Sequence, residues 1–264
     1  MEIIDTHTHL DQVDDPERIL TEAFDLGVQA VMTVGVDLQA NQTNLSLQSR
    51  ISSPPILVAL GIHPQSLPAE QVEESLAFIR ANINRAQAVG EIGLDFWYKH
   101  VRKNDEMKEL QKDVFSRQLA LAKEFDLPVI IHSRGAWQVC LEMVRDAGIR
   151  RGVFHWYSGP VEILDKILSL GFFVSATPSL AYSPQAREAM THAPLEKILI
   201  ETDTPVYYKN AQTQEGFAAR PKDVFRTLEL LAGVKKIAPD ELVKIVNANA
   251  RQLFKSPNAS VRAS

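Results

Sequence analysis

The stretch MEIIDTHTH, residues 1–9, decides how the fold of this chain is predicted. A short apolar run leads into His7 and His9, and residues two apart on a β-strand project to the same side. The two imidazoles are therefore expected to lie together at the end of a first strand. One His-x-His pair is a weak signal by itself, and its weight depends on where the other histidines fall.

Short apolar runs alternate with stretches of helical periodicity along the rest of the sequence. Strands are predicted at residues 2–7, 28–35, 56–62, 87–92, 128–132, 152–156, 172–176 and 197–203. Helices are predicted near residues 16–26, 40–50, 69–84, 105–126, 135–147, 160–170, 184–191 and 222–235, with a further one near 239–254. This alternation favours an α/β fold, a TIM-type (β/α)8 barrel with an extra C-terminal helix, over an open doubly wound sheet. No Gly-x-Gly-x-x-Gly motif follows the first strand, which counts against a dinucleotide-binding fold.

The length of the chain fits one such domain. It has 264 residues, and a barrel of this type usually needs about 250. The apolar content of 45% and the charged content of 23% are ordinary for a globular protein. We expect the barrel to occupy residues 1–255 and to be followed by a polar, frayed tail over residues 256–264.

Composition also bears on location and partners. The one cysteine, Cys140, excludes a disulfide framework, no apolar run approaches a membrane span, and the first strand leaves no room for a signal peptide. We therefore expect a cytoplasmic protein with no membrane contact and no obligate protein partner. The net charge of −5 argues against a protein that coats nucleic acid with a broad basic face. It leaves room for an enzyme that handles single phosphates, because bound divalent metals supply positive charge locally.

Five further residues of metal-binding type also fall at strand ends. His63, Glu91, His132, His155 and Asp203 each lie at the C-terminal end of a different predicted strand. In a parallel barrel those ends face the active site. Any one of these histidines alone would more often be a hydrogen-bonded core or loop residue. Their convergence at one rim, together with His7 and His9, predicts a metal site.

Six of these residues form the predicted ligand set. The candidate metal ligands are His7, His9, Glu91, His132, His155 and Asp203. Mixed imidazole and carboxylate ligands suit Zn²⁺, Mn²⁺ or Fe, and Mg²⁺ where oxygen dominates. Six ligands are too many for one site that keeps a position open for water, but they suit two metals about 3.5–4 Å apart.

Strand order then divides the ligands between the two metals. Glu91 is the central residue and is predicted to bridge the metals; His7, His9 and Asp203 complete one site, and the other takes His132 and His155. Asp203 is also a candidate acceptor for the proton of the attacking water.

Several other residues near the rim have two interpretations. His63 is either a phosphate contact or a support for the ligands, and Arg134 either clamps a phosphate bidentately or forms a surface salt bridge. Asp5 and Glu201, predicted one layer below the rim, either orient ligands or only form buried hydrogen bonds. Val89 is expected to point into the barrel below Glu91. Four aromatic residues in loops over the site either stack on bases or pack on one another: Trp97, Tyr98, Trp156 and Tyr157.

Motifs along nearly the whole chain resemble those of the TatD-related metal-dependent deoxyribonucleases, of the amidohydrolase-like superfamily. The matching segments are Ile4–Asp11, Gly61–Pro64, Val89–Asp95, Pro128–Arg134, His155–Gly159, Glu201–Pro205 and Asn249–Phe254, together with the helix pattern Gln111, Phe115, Gln118, Leu119, Leu121 and Ala122. The resemblance implies a TIM-type barrel with two divalent metal ions, Zn, Mn or Mg. It also implies hydrolysis of DNA or another phosphodiester, typically by 3′-to-5′ exonucleolytic attack.

Carried onto this chain, the resemblance gives roles to individual residues. The six candidate ligands would hold the metals, with Glu91 and Asp203 in the catalytic centre. His63 would contact the substrate phosphate, with Arg134 beside it as a further substrate-binding candidate. One metal would activate water while the other polarises the phosphoryl oxygens.

Two segments depart from the family pattern and put the substrate in doubt. Trp156-Tyr157 stands where the family commonly has Cys-Phe, and Ala219-Arg220-Pro221 stands where an Arg-Asn-Glu-Pro type sequence is common. One alternative is therefore a hydrolase of the same barrel that cleaves an amide, a lactone or a small phosphoester, a D-aminoacyl-tRNA deacylase included. Another is a non-catalytic metal-binding partner protein.

Overall fold

Eight parallel strands, paired in chain order, form the central sheet. A computed structural model describes residues 1–65, 67, 69–209 and 216–255, so the predicted tail lies outside the described residues. The strands are β1 (Ile3–Thr8), β2 (Val28–Val34), β3 (Ile56–Leu60), β4 (Ala88–Gly93), β5 (Val129–His132), β6 (Gly152–Phe154), β7 (Phe173–Ala176) and β8 (Ile198–Ile200).

The sheet closes where the end of β1 meets the segment after β8. A parallel bridge joins Thr8 to Thr204, and the amide of His9 donates to the carbonyl of Thr204 at 2.7 Å. The amide of Asp203 donates to the carbonyl of His7 at 3.0 Å. These contacts confirm the predicted (β/α)8 barrel, and they place candidate ligands at its closing seam.

The helices alternate with the strands as predicted. They are α1 (Pro16–Asp25), α2 (Leu38–Arg50), α3 (Ala69–Asn82), α4 (Asp105–Glu124), α5 (Trp137–Asp146), α6 (Val161–Ser169), α7 (Pro184–His192), α8 (Val224–Lys235) and α9 (Pro239–Phe254). Local chemistry fixes several of their starts. Asp15 caps α1 by accepting from the amide of Arg18, and Pro16 occupies its first position, where no amide hydrogen is needed.

Two apolar clusters hold the barrel together. The larger fills the space between the sheet and the helices, and the smaller fills the barrel interior with residues such as Met32, Ile130 and Val153. Leu253 and Phe254 of α9 belong to the interior cluster. The extra helix therefore covers the end of the barrel at which the strands begin.

The predicted direction of Val89 was wrong. Val89 belongs to the cluster between sheet and helices, and Ala88 belongs to the interior. The reason is a register shift in the pairing of β4 with β5, between Val89 and Ile92, which interrupts the alternation of side chains. A strand period of two therefore cannot be extended through this strand.

A short hairpin was not predicted. Strands β9 (Tyr207–Lys209) and β10 (Gly216–Ala218) pair antiparallel after β8. Each has three mostly exposed residues and no continuous apolar run, so the sequence gives no strand signal there. Among the described residues, no helix has the length and apolarity needed to cross a bilayer.

Candidate metal centre

His7, His9 and Asp203 form a first group of candidate ligands at the barrel seam. Asp203 Oδ1 lies 3.2 Å from His9 Nε2 and 3.4 Å from His7 Nε2. Asp203 has a φ of +52°, in the left-handed region that non-glycine residues rarely adopt. This conformation and the amide bond to the His7 carbonyl fix the carboxylate beside the end of β1.

His132 and His155 form a second group on β5 and just after β6. His132 Nδ1 lies 2.8 Å from Glu91 Oε1, and His155 Nε2 lies 2.7 Å from the same oxygen. The two ring nitrogens are 3.4 Å apart. The ring of His155 stacks on that of His7 with centroids 4.1 Å apart, so the two groups adjoin.

Glu91 lies between the two groups and divides its oxygens between them. Its Oε2 lies 3.3 Å from His7 Nε2 and 3.5 Å from His9 Nε2. Its Oε1 faces His132 and His155. The carboxylate is 2% exposed. One buried carboxylate with one oxygen towards each ligand group has the geometry expected of a bridge between two cations.

The second-group histidines each have a carboxylate behind them. Asp95 Oδ2 lies 2.7 Å from His132 Nε2, and Glu201 Oε1 lies 3.3 Å from His155 Nδ1. Carboxylates in this position fix the orientation of a metal-binding imidazole. Of the two interpretations of Glu201, the geometry favours the one in which it orients a ligand.

Asp5 supports the seam rather than an imidazole. Its carboxylate accepts from the amide of Thr202 at 3.0 Å and from the Thr202 hydroxyl at 2.6 Å. Burial raises the pKa of Asp5 well above its ordinary value. The residue thus ties β1 to the segment that follows β8, and so aligns His7 with Asp203 through the backbone.

His63 differs from the other imidazoles in the role of its ring nitrogens. The amide of Gln65 donates to Nδ1 at 3.0 Å, so this nitrogen carries a lone pair. Burial lowers the pKa of His63 to about 3, and the neutral ring therefore carries its proton on Nε2, which lies 3.5 Å from Glu91 Oε1. A protonated Nε2 cannot ligate a metal but can donate to an oxygen. Of the two interpretations of His63, this geometry favours the phosphate contact.

Arg134 is held at the rim by an ion pair and an aromatic ring. Its Nε donates to Asp95 Oδ2 at 2.7 Å, and its guanidinium carbon lies 4.8 Å from the ring centroid of Tyr98. The side chain is 47% exposed and lines the central cavity. Arg134 thus forms a salt bridge, as one interpretation expected. Because its side chain is partly exposed at the cavity, it can also contact a substrate phosphate, as the other interpretation expected.

Asp95 was not singled out from the sequence. It lies in the loop after β4, beyond the strand end that marked Glu91, so no periodic pattern indicates it. Its surroundings are fixed by α4, because Gln111 accepts from the Asp95 amide at 3.0 Å. Gln118, two turns further along, bonds both backbone groups of Ile62 beside His63. The signal in the sequence was the pair of glutamines on the apolar face of α4, which need polar partners when that face is buried.

The buried imidazoles and carboxylates of the site shift one another's pKa values. Burial alone would raise the pKa of Glu91, but the surrounding imidazoles, His155 first, hold it well below its ordinary value. Burial opposes protonation of His155, yet the charges of Glu91 and Glu201 raise its pKa well above the usual value. The pKa of His132 is raised in the same way by Asp95 and Glu91. Protonated imidazoles thus neutralise the negative charge of the carboxylates, a role that a bound cation can also take.

Unpartnered buried atoms test whether a metal fits. Both ring nitrogens of His7, Nδ1 of His9 and Oδ1 of Asp203 are buried without a hydrogen bond in the described part of the chain. Such atoms are costly unless something else satisfies them. Three sets of donor atoms close enough to hold an ion occur here: His7, His9 and Asp203; His63, Glu91 and His132; and His7, His155 and Glu201.

The three sets do not carry equal weight. The proton on His63 Nε2 removes it from the second set. In the third set, Glu201 Oε1 already accepts from the amide of Trp156 at 3.0 Å and lies on the Nδ1 side of the His155 ring. Glu201 therefore orients this ring rather than binding an ion itself. The remaining donors, grouped around Glu91, have the mixed nitrogen and oxygen character that suits divalent transition metals.

A cavity of about 1120 Å³ opens over these groups. Its walls come from loops after several strands, as expected for the active-site face of a barrel. Residues in its lining include Asp11, Asp37, Trp97, Trp137 and Trp156. The cavity is larger than the roughly 300–1,000 Å³ typical of small-molecule pockets, so it has room for an extended substrate.

Comparison with known proteins agrees with the fold and identifies the family. The family model of the TatD related DNases matches residues 4–255. The chain belongs to this family. Human deoxyribonuclease TATDN3 is 30% identical over 264 residues, covering 96% of this chain and 94% of the human protein. The motif resemblance is thereby confirmed, and the chain is a TatD family metal-dependent hydrolase.

A bacterial relative gives the same result in sequence and structure. YjjV of Escherichia coli K12, described as an uncharacterized metal-dependent hydrolase, is 30% identical over 96% of this chain and 98% of its own. The crystal structure of the YjjV TatD homolog superposes with a TM-score of 0.85 at 28% identity, over 97% of this chain and 98% of the homolog. Membership of the TatD family supports the use of divalent metal by this chain.

Proposed function

We propose that this chain is a 3′-to-5′ exodeoxyribonuclease that hydrolyses phosphodiesters at a binuclear divalent metal site. The observation that carries the proposal is Glu91, whose two oxygens face two separate groups of ligand atoms. His7, His9 and Asp203 would hold one ion, and the other would be held by His132 and His155. A family named for DNases and a human relative named a deoxyribonuclease support DNA as the substrate.

The side chains have separate tasks in this proposal. When bound, a pair of divalent ions polarises the phosphoryl group and lowers the pKa of water. The Asp203 carboxylate is buried beside His7 and His9, and besides holding the ion it would take the proton of the nucleophile. His63 donates from Nε2 to a phosphate oxygen. Arg134 lies at the rim, where a cation can hold a further phosphate.

The test is metal-dependent release of mononucleotides from the 3′ end of single-stranded DNA. The protein, stripped with chelator and reloaded separately with Zn²⁺, Mn²⁺ or Mg²⁺, is assayed on DNA, RNA, a small phosphodiester and an aminoacyl-tRNA. We expect 3′ release from DNA that depends on added metal. Loaded protein that cleaves only the aminoacyl ester would contradict the nuclease proposal. Loaded protein that cleaves nothing in the panel would favour a non-catalytic metal-binding role.

The bridge is tested separately by Glu91→Gln. Replacing one shared oxygen by an amide nitrogen should reduce bound metal at both groups and abolish nuclease activity, while circular dichroism shows a folded barrel. Glu162→Gln, on the first turn of α6 outside the cavity lining, is the matched control. Unchanged metal stoichiometry in Glu91→Gln would refute the bridging role.

A further inference from the structure

All three tryptophans of the chain line the cavity over the metal centre. Two of them are engaged with the protein. The indole of Trp156 donates to Ser179 Oγ at 3.0 Å and its ring lies 5.4 Å from that of Tyr208. Trp137 is half-buried, and a Cβ on Gly159 would lie 2.8 Å from its ring. Trp97 is different, because 62% of it is exposed.

Although exposed, Trp97 is held in place. Its amide donates to Asp95 Oδ1 at 2.9 Å. A Cβ on Gly135 would lie 2.2 Å from Trp97 Cδ1, so the indole packs directly on the glycine backbone, which has a φ of +71°. Trp137 meets the same indole edge to face, with centroids 6.5 Å apart. A large aromatic surface is thus fixed beside the site and left open to solvent.

The position of Trp97 relates it to the catalytic groups. Asp95 holds the Trp97 amide through Oδ1 and the His132 ring through Oδ2. The next residue, Tyr98, approaches the ring of His63 with centroids 6.5 Å apart. Trp97 therefore lines the same cavity as these groups, and its backbone is tied to the carboxylate that holds His132.

The charges of the cavity favour recognition through bases. Among its described lining residues, Arg134 is the one lysine or arginine, whereas Asp11, Asp37 and Glu188 are acidic. A cavity wall with one cationic side chain cannot bind several phosphates of a DNA strand by charge alone. Aromatic surfaces bind the faces of unpaired bases without regard to sequence.

We propose that Trp97 is the stacking platform for an unpaired base of the nucleotide next to the scissile phosphate. This proposal rests on the proposed nuclease function. Trp97 is a binding residue here, and a role limited to internal packing does not account for an indole so largely exposed at the cavity.

The experiment compares two oligonucleotides of equal length on metal-loaded enzyme. One is single-stranded DNA with all bases, and the other has abasic residues at its two 3′-terminal positions. We expect the wild-type KM to be about 5- to 150-fold lower with bases, the range that one stacked base supplies. In Trp97→Ala the two KM values should nearly coincide, with kcat on the base-bearing strand changed less than KM. Trp97→Phe should retain most of the preference because a ring remains.

Phe24→Ala is the control, since Phe24 is an exposed aromatic in the last turn of α1, on the opposite end of the barrel. It should keep the wild-type preference for bases. A base preference that survives in Trp97→Ala overturns the platform, and so does an equal rise in both KM values. If the wild type releases no nucleotide from either strand, the nuclease proposal fails instead, so the two failures are distinguishable.

Discussion

Asp95 joins four polar groups of the site through one buried carboxylate. Oδ2 is shared by His132 Nε2 and Arg134 Nε, both at 2.7 Å. Oδ1 accepts from the amides of Trp97 and Tyr98 at 2.9 and 3.2 Å. Burial would raise the pKa of Asp95, but the hydrogen bond and charge of His132 and the charge of Arg134 lower it. The carboxylate is therefore ionised and positions a ligand, a cation and a loop together.

Asp95→Asn should weaken metal binding at one group of ligands. An amide cannot accept from the His132 ring and Arg134 with the strength of a carboxylate, so the His132 ring loses its fixed orientation. Loss of such a partner typically costs about 10- to 100-fold in metal affinity or activity. Equilibrium dialysis with metal analysis should show weaker uptake at the His132 group and unchanged uptake at the group of His7, His9 and Asp203.

The matched control is Asp165→Asn. Asp165 also pairs with an imidazole, His192 Nε2 at 2.6 Å, but on the exposed surface. Its removal should leave metal binding as in the wild type, because an exposed pair contributes little. Wild-type metal affinity in Asp95→Asn would show that His132 needs no carboxylate partner.

The sequence was informative about the residues at strand ends and uninformative about their partners. Glu91 and His132 could be predicted because a ligand type at the C-terminal end of a strand must face the mouth of a parallel barrel. Asp95 lies in a loop, where direction follows from tertiary contacts with α4. The proton position on His63 depends on the amide of Gln65, which no spacing rule predicts.

At the scale of elements, α9 joins the two strands between which the barrel closes. Asn247 accepts from the Ile4 amide at 3.1 Å and donates to the Glu2 carbonyl at 2.8 Å. Asn249 donates to the Ile198 carbonyl at 2.9 Å. The helix thus fastens the beginnings of β1 and β8, whereas the contacts of Asp5 and Asp203 fasten their ends.

Asn247→Ala should destabilise the protein without disturbing the metal centre. The Ile4 amide would stay buried without an acceptor, which costs about 1–3 kcal/mol. Urea denaturation measures the change in the free energy of unfolding, and metal content should equal that of the wild type. Lys244→Ala, at an exposed position of the same helix, should change stability by less than about 0.5 kcal/mol. Equal stabilities of the two variants would show that water replaces the lost acceptor.

Sequence periodicity located the elements well and failed where the backbone was irregular. All eight predicted strands and all nine predicted helices overlap observed elements, because each has a long enough apolar pattern to identify it. The inward direction predicted for Val89 was wrong because of the register shift in β4. The hairpin of β9 and β10 was missed because its strands lack the continuous buried apolar run that marks the equally short β6 and β8.

At the scale of the whole molecule, the site buries several ionisable side chains at the mouth of a barrel that is closed by the same strands. The candidate ligands come from β1, β4 and β5 and from the segments after β1, β6 and β8. Their imidazoles and carboxylates are buried beside one another, so each protonation state affects the stability of the fold. Divalent ions that bind only the folded chain add stability by mass action, about 2.7 kcal/mol at a concentration 100 times the Kd.

Metal-free protein should lose stability as the pH rises above about 6.5. The folded pKa values of His155 and His132 are raised above the unfolded value, so their contribution is complete below it and disappears as the pH rises through the folded values. The raised pKa of Asp5 gives a loss of the same sign that begins above its ordinary value of 3.8. Metal-loaded protein should behave oppositely, because ions displace the imidazole protons and bind more tightly at higher pH. The free energy of unfolding in urea, measured from pH 6 to 8.5 with chelator and with metal, checks both trends. A metal-free stability that rises over this range would mean that the imidazoles are neutral in the folded protein.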